Sequence, residues 1–354
     1  MSRSVENSGT AEVRNAHRFD PLRLEKWMKG KVAGFSGPLT VLQFKGGQSN
    51  PTYRLDTPGC SYVLRRKPPG TLLPGAHAVD REYRVISALA GEGFPVAEPL
   101  GFCADPDVIG TEFYVMALVE GRIFWDSAFP DVAHDERPLY FDAMNETIAR
   151  LHSLDPEAIG LGDFGKPGNY FERQIGRWAK QYIGDAEAGR VASMDRLVEW
   201  LPANIPPGED EARIVHGDFR CDNMIFHPGE PRVLAVLDWE LSTLGHPLAD
   251  FAYHLMMYRM PAGITAGLAG LDLAALNIPS EADYVAAYCR RTGRAGIPHL
   301  DFYIAFNMFR LAAIIHGIKG RMVRGTASSA HAAKAVEGLE PLADLAWAQA
   351  MRAA

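Results

Sequence analysis

The stretch RIVHGDFRCDNMIFHPGEPRVLAVLDWE, from Arg213 to Glu240, constrains this chain more than any other. Its apolar runs NMIF and VLAVL read as the arms of a β-hairpin closed by the turn PGEP. Asp218, Asp222, Asn223 and Asp238 cluster beside those arms. Carboxylates flanking buried strands are costly unless something pairs with them, and a cation is the natural partner. Pairing outward from the turn makes partner numbers sum to roughly 459–461. That register sets Asn223 opposite Asp238 at the open end, with Cβ atoms roughly 5 Å apart. An amide oxygen and a carboxylate so placed can share one hard divalent cation. Mg²⁺ takes one or two protein oxygens and leaves the rest of its octahedron to water and substrate phosphates. Asp218 precedes Asn223 across a short loop and faces the same space without needing to hold the metal.

Around this hairpin the chain has two characters. TVLQFKGGQSNPTYRLDTPGCSYVLRRKP alternates short β-branched and aromatic runs with the turn signals KGGQSN and DTPG. AVDREYRVISALA follows, with Val79, Val85, Ile86 and Leu89 at helical spacing and Gly91 and Gly93 to stop it. PLGFCADPDVIGTEFYVMALVEG supplies two more strands around a loop. Residues 38–118 therefore read as a five-strand sheet carrying one helix. Beyond Gly121 the pattern is helical, in DERPLYFDAMNETIARLHSLD, NYFERQIGRWAKQYIGDAEA, ASMDRLVEWLPAN and nearly all of 281–350. The expected class is α+β: a small antiparallel sheet lobe over residues 25–118, then a larger, mostly helical lobe over 119–354. Residues 1–24 are expected to be a flexible N-terminal segment. A cleft between two such lobes is a favoured place for a small ligand.

Composition narrows the function. A net charge of −7 over 354 residues disfavours a non-specific nucleic-acid binder. The four cysteines are far apart with no CxxC spacing, so neither a zinc site nor a disulfide framework is indicated. The first twenty residues lack an apolar signal core, and no apolar run long enough to span a bilayer occurs. A cytoplasmic protein with no nucleic-acid or membrane partner is expected, its oligomeric state open.

The spacing of HGDFRCDN, H-x-D-x-x-x-x-N, is that of the protein-kinase catalytic loop. There the Asp accepts the substrate hydroxyl proton, the Asn holds Mg²⁺, and a later Asp holds Mg²⁺ as well. Spelled HGD, and followed by LDWE and GHPLADFAYHL, the stretch resembles the aminoglycoside phosphotransferase family, which has choline and homoserine kinases as relatives. The resemblance runs over about residues 25–350. More narrowly, YVLRRKPPGTLLPGAHAVDREYRV resembles the kinase-like domain fused to some acyl-CoA dehydrogenases, here expected to stand alone.

The resemblance implies a protein-kinase-like two-lobe fold and a small-molecule kinase using ATP or GTP with Mg²⁺. It implies Asp218 as catalytic base, Arg220 near the γ-phosphate, Asn223 and Asp238 as metal ligands, and His216 and Asp250 as supports of the loop. Glu82 would pair the nucleotide-binding cation. Family members carry Lys at that point of the strand; here YVLRR offers Arg65, and Arg is not a conservative replacement. Lys67, on the same strand face, competes with it. GGQSN shortens the phosphate loop, leaving Gly46, Gly47 and Ser49 for the phosphates, and backbone groups of Met116, Ala117, Leu118 and Val119 would meet the nucleotide ring. The dehydrogenase-linked resemblance favours a hydroxyacyl-CoA-type acceptor. An aminoglycoside or amino-alcohol kinase, and a non-catalytic nucleotide-binding module, are the alternatives. Read alone, Asp222 is a surface acid, Asn307 and Arg310 are a buried pair on an apolar helix, and Tyr170, Phe171 and Trp178 are core.

Overall fold

The structure, a computed structural model, describes residues 9–45, 50–70, 77–208, 210–262, 267–325 and 332–353. The chain forms two compact units. The first takes in residues up to Trp125 with Glu157–Leu161 and Cys221–Ser242; the second takes in Asp126–Pro156, Gly162–Arg220 and the chain from Thr243 on. Among the described residues the strands are β1 (Thr10–Ala11), β2 (Thr40–Phe44), β3 (Thr52–Asp56), β4 (Ser61–Arg66), β5 (Pro99–Cys103), β6 (Phe113–Ala117), β7 (Arg213–Val215), β8 (Met224–Phe226), β9 (Val233–Val236) and β10 (Thr243–Gly245).

In the first unit β1 to β6 form one antiparallel sheet in the order β1-β2-β3-β4-β6-β5. The five strands expected within 38–118 are all present, and Thr10–Ala11 adds a sixth at the edge of β2. Strand β4 is central, and its residues from Tyr62 to Arg66 are all buried. Side chains alternate across a strand, so its two faces serve different ends. Tyr62 and Leu64 join Tyr53, Leu55, Phe113 and Val115 in a core against Leu24 and Met28. Those two residues belong to the helix Pro21–Lys31, whose start is set by Pro21 and by the Asp20 carboxylate accepting from the Leu22 N–H. Arg66 joins this face, donating to the Ile109 carbonyl at 3.0 Å with its guanidinium over Phe19 and Tyr53. Val63 and Arg65 point the other way. On the helix Val79–Gly91, Val79, Glu82, Val85, Ile86 and Leu89 are buried, an apolar stripe interrupted by one carboxylate.

Strands β8 and β9 form the expected hairpin, also within the first unit. Its strands pair within the range read from the sequence, but one residue short of the Asn223–Asp238 pair expected at the open end. Leu234 is the extra residue of a bulge, since Phe226 pairs with Val233 but Ile225 with Ala235. The Leu237 N–H then donates to the Asn223 carbonyl at 2.8 Å, so Leu237 rather than Asp238 lies across from Asn223. The chain at Arg122 exchanges two 2.8 Å backbone hydrogen bonds with Phe226. A Cβ on the preceding Gly121 would run into the Phe226 carbonyl oxygen, which is why that position is glycine.

The second unit is mainly helical: Arg137–Ser153, Tyr170–Gly184, Ala192–Ala203, Pro247–Leu255, Glu281–Thr292, Leu300–Val323, Ala332–Glu337 and Leu339–Ala350, with β7 and β10 paired antiparallel. Phe171 packs its ring against Phe302, Tyr303 and Phe306 of the longest helix, so it is core as expected. Every residue of Pro247–Leu255 is buried. Among the described residues no helix is long and apolar enough to cross a membrane.

Candidate functional site

The first unit contains a cavity of about 330 Å³ under the sheet. Val63, Ile86, Ile225 and Val236 give it apolar walls, and the segment Met116, Ala117, Leu118 and Val119 lies along it. Arg65, Asp222, Asn223 and Asp238 bring polar groups to the same space. Asp222, read from sequence as a surface acid, is thus part of the cavity wall.

Arg65 organises this cluster. Its Nη2 donates to Asp238 Oδ1 at 2.6 Å and lies 3.5 Å from Glu240 Oε2. Its Nε lies 2.8 Å from Glu82 Oε2, with the N–H turned off the line to that oxygen. Burial works against the guanidinium charge, but the carboxylates of Glu82 and Asp238 outweigh it and hold Arg65 protonated beyond even the usual arginine range. Glu82 shows the opposite balance. Burial pushes its carboxyl above the ordinary carboxylate range, and Arg65 offsets this only in part. Two further groups complete its shell: Asn50 Nδ2 donates to Oε1 at 2.8 Å, and the Tyr114 hydroxyl donates to Oε2 at 3.1 Å. Tyr114 is the cross-strand partner of Arg65 in the β4–β6 ladder, which places both on one face.

The competing cation is engaged elsewhere. Lys67 Nζ is 2.6 Å from Glu112 Oε2 at the rim of the sheet. Gly46, Gly47 and Ser49 lie outside the described residues; Asn50, directly after them, is buried and ties Glu82 to His77 through a 2.9 Å contact between its Oδ1 and the imidazole Nδ1.

Asp238 reaches the cavity because its backbone leaves strand geometry. It takes φ 63° and ψ 62°, left-handed values unusual for a non-glycine residue and tolerated best by Asp and Asn. Such strain costs on the order of 1–3 kcal/mol and collects at working sites. In a regular ladder Asp238, one position past the partner of Asn223, would face away from it; the kink brings both residues to one cavity. Their donor chemistry fits Mg²⁺, a carboxylate and an amide oxygen being hard ligands. Asp238 Oδ2 has no protein partner among the described residues. Three carboxylates, Glu82, Asp238 and Glu240, face the one guanidinium of Arg65. Among the described residues no group of three or more His, Cys, Asp or Glu could cage a metal.

In the second unit a separate set of contacts shapes the loop before Arg220. Asp250 accepts from the backbone N–H groups of His216 (2.7 Å) and Gly217 (2.8 Å) and bonds His152 Nε2 at 3.2 Å. Burial would raise its carboxyl, but these hydrogen bonds and the neighbouring imidazoles hold it below the ordinary range. His216 Nδ1 accepts the Asp218 N–H at 3.1 Å, as a loop-propping histidine would. Arg310 Nη2 donates to the Gly217 carbonyl at 2.7 Å. His254 Nδ1 is 3.1 Å from the Phe219 carbonyl and must donate to it. Burial holds that imidazole at about 4, so it is neutral and its Nε2 accepts from Tyr284. Asp218 Oδ1 meets Arg220 Nε at 3.0 Å and the Tyr253 hydroxyl at 2.5 Å. Asn307 donates to the Ala249 and Tyr303 carbonyls and is structural.

The apolar-walled cavity with its Arg–Glu pair, and the backbone-clamped HGD loop, are features of a phosphotransferase. The profile of the phosphotransferase enzyme family matches residues 40–303, and the chain belongs to that family. It is 46% identical over 344 residues to acyl-CoA dehydrogenase family member 11 of Gallus gallus, covering 95% of this chain and 44% of that protein. To family member 10 of Mus musculus it is 44% identical over 341 residues, 96% of this chain and 32% of the relative. The chain thus spans less than half the length of these relatives. Among solved structures, a candidate aminoglycoside phosphotransferase from Ralstonia eutropha is 52% identical with a TM-score of 0.87, over 95% of this chain and 99% of that one. Spectinomycin phosphotransferase shares the fold at 11% identity and a TM-score of 0.63, over 93% and 98%. The α+β, kinase-like two-lobe class expected from the sequence is the fold of this chain.

Proposed function

We propose that this chain moves the γ-phosphoryl group of ATP or GTP to the hydroxyl of a small cytoplasmic acceptor, of the hydroxyacyl-CoA type. The observation that carries this reading is the Arg65–Glu82–Asp238 cluster in a cavity shared with Asn223 and the Met116–Val119 segment. The nucleotide ring would lie against the apolar walls and the backbone of Met116 to Val119. Arg65, held by Glu82, would present a fixed positive charge to the phosphates, with Gly46, Gly47 and Ser49 beside them. Asn223 and Asp238 would hold Mg²⁺, which when bound offsets the charge of those phosphates.

Asp218 is the proposed base and Arg220 its neighbour at the γ-phosphate. The acceptor oxygen forms a bond to the γ-phosphorus while the bond from that phosphorus to the bridging oxygen breaks. The electron pair leaves with the nucleoside diphosphate, and the hydroxyl proton passes to the Asp218 carboxylate. Catalysis of this kind is mostly positioning and electrostatics, with the base adding about 10²–10⁴-fold. The similarity to acyl-CoA dehydrogenase family members 10 and 11 supports a hydroxyacyl-CoA acceptor over an aminoglycoside or amino alcohol.

One observation favours a second reading, a non-catalytic nucleotide-binding module: Arg65 already faces three carboxylates. ADP release with hydroxyacyl-CoAs, amino alcohols and aminoglycosides, measured for wild type and Asp218→Ala, separates the two. Acceptor-stimulated release lost in Asp218→Ala, with ADP affinity kept, supports the kinase. Nucleotide binding with no release from any acceptor supports the module, and full activity in the variant removes Asp218 as base.

A further inference from the structure

Asp218 does not stand alone on its loop. The Tyr253 hydroxyl donates to its Oδ1 at 2.5 Å, and Arg220 Nε lies 3.0 Å from the same oxygen. Tyr253 belongs to the helix Pro247–Leu255, three residues after Asp250, so one helix face carries both the carboxylate that clamps the His216 and Gly217 N–H groups and the phenol that reaches Asp218. The phenol is itself fixed. It is buried, and the Arg310 guanidinium lies over its ring at 5.2 Å while donating to the Gly217 carbonyl next to Asp218. Burial, and then the Asp218 charge, raise the Tyr253 hydroxyl far above the ordinary tyrosine value. It therefore remains a donor throughout the working pH range.

We propose that Tyr253 is a positioning residue: its hydroxyl, braced by Arg310, sets the rotamer and plane of the Asp218 carboxylate toward the acceptor hydroxyl. The inference rests on the reading of Asp218 as base. An aspartate has two side-chain torsions, and the terminal one is broad and weakly held on its own. Packing fixes the Cβ; only a directed hydrogen bond fixes the oxygens. A charge-assisted O–H···O⁻ bond is short and strong enough to do so, and misplacing a reacting group by an ångström can cost about 10²-fold. Tyr253 touches no reacting atom, so its effect belongs in the rate of the step rather than in nucleotide affinity.

Tyr253→Phe removes one oxygen and leaves the ring under Arg310. ADP production is followed with Mg²⁺-ATP, using water alone and using 3-hydroxybutyryl-CoA as acceptor, for wild type, Tyr253→Phe, Asp218→Asn and the double variant. The expected result is a kcat lower by about 10–100-fold in Tyr253→Phe, with KM for ATP and Kd for ADP within about twofold. In the Asp218→Asn background the same substitution should change kcat by less than about twofold, because the group it orients is no longer a base. A Tyr253→Phe kcat within twofold of wild type overturns the proposal, as does a full additional loss in the double variant. If Tyr253→Phe does not fold, 4-fluorophenylalanine at position 253 fills the space of the hydroxyl but cannot donate; a kcat within twofold of wild type then overturns it. Asp218→Asn at full activity, or a wild type releasing no ADP under either condition, marks failure of the underlying reading and is seen without any change at Tyr253.

Discussion

Arg65→Met is the perturbation whose cost follows most directly from the geometry. The guanidinium faces Glu82 at 2.8 Å, Asp238 at 2.6 Å and Glu240 at 3.5 Å. These contacts are unequal in what they leave behind. The Asp238 and Glu240 side chains are 36% and 25% exposed and water can screen them, whereas Glu82 is 2% exposed. The loss is therefore dominated by one buried carboxylate deprived of its cation, a situation that costs about 3–5 kcal/mol. The first unit has roughly 150 residues, for which 1 kcal/mol moves the melting temperature by about 2–4 °C, giving an expected drop of about 6–20 °C. Adding Glu82→Gln should recover at least half of it. The charge is gone, while one of the two hydrogen bonds from Asn50 and Tyr114 can still find an acceptor oxygen. The pH dependence has a definite sign. Glu82 already lies above the ordinary carboxylate range because it is buried. Such a group contributes stability below its unfolded pKa that is lost as pH rises through the folded one. Without Arg65 the folded value rises further, so the gap between wild type and Arg65→Met should be wide near about pH 8 and narrow toward about pH 5. Thermal and urea melts of the three variants across that range test the account. A drop under about 2 °C, or a double variant melting no higher than Arg65→Met, would refute it.

Two further outcomes follow from the same structure. Asp250 is buried and held below the ordinary range by His152 and the His216 N–H, so it contributes stability above its unfolded pKa that is lost as pH falls through the folded value. Asp250→Asn should cost about 1.5–3 kcal/mol at neutral pH, the range for hydrogen bonds to a charged group, and urea melts should show the deficit shrinking below about pH 4; a deficit independent of pH would sink that explanation. As the proposed metal ligands, Asn223 and Asp238 should each, on change to Ala, weaken Mn²⁺ binding in the presence of ADP by about 10-fold or more; unchanged affinity, read by electron paramagnetic resonance, would remove them from that role.

The parts of the fold legible in the sequence are those whose pattern is set locally. Strands β2 to β6 show as short apolar runs between strong turn signals, and the helices Arg137–Ser153 and Glu281–Thr292 show their length and ends. The helix Pro247–Leu255 does not, because all nine of its residues are buried and it has no polar face to mark a period. Strand β10 has three residues and pairs with β7 across nearly thirty positions of chain, a non-local partnership that local patterning does not reveal. The hairpin register is the instructive middle case. Turn position brought the pairing within one residue, but the bulge at Leu234 decided the last step, and nothing in VLAVL announces which residue is extra.

The same distinction runs through the candidate site. HGDFRCDN and LDWE name Asp218, Asn223 and Asp238 by spacing, yet whether Asn223 and Asp238 can serve one ion turns on a left-handed residue that no spacing shows. Arg65 and Lys67 are equivalent by strand alternation. What separates them is the environment each side chain meets: a helix carboxylate under the sheet for Arg65, and Glu112 at the rim for Lys67. Tyr114 and Tyr253 were within reach of sequence reasoning, one as the strand residue across from Arg65, the other as the residue one helical turn beyond Asp250. Both look like ordinary core aromatics in a list of residues, because a buried tyrosine is usually there for its ring. Their hydroxyls change that assignment. Each donates to a carboxylate, the buried Glu82 in one unit and the partly exposed Asp218 in the other. Burial raises both phenols above the ordinary tyrosine value, so each stays protonated as a donor and orients the carboxylate it reaches. A neutral phenol can therefore hold a carboxylate such as Asp218, the proposed base, in register without adding a second positive charge beside it.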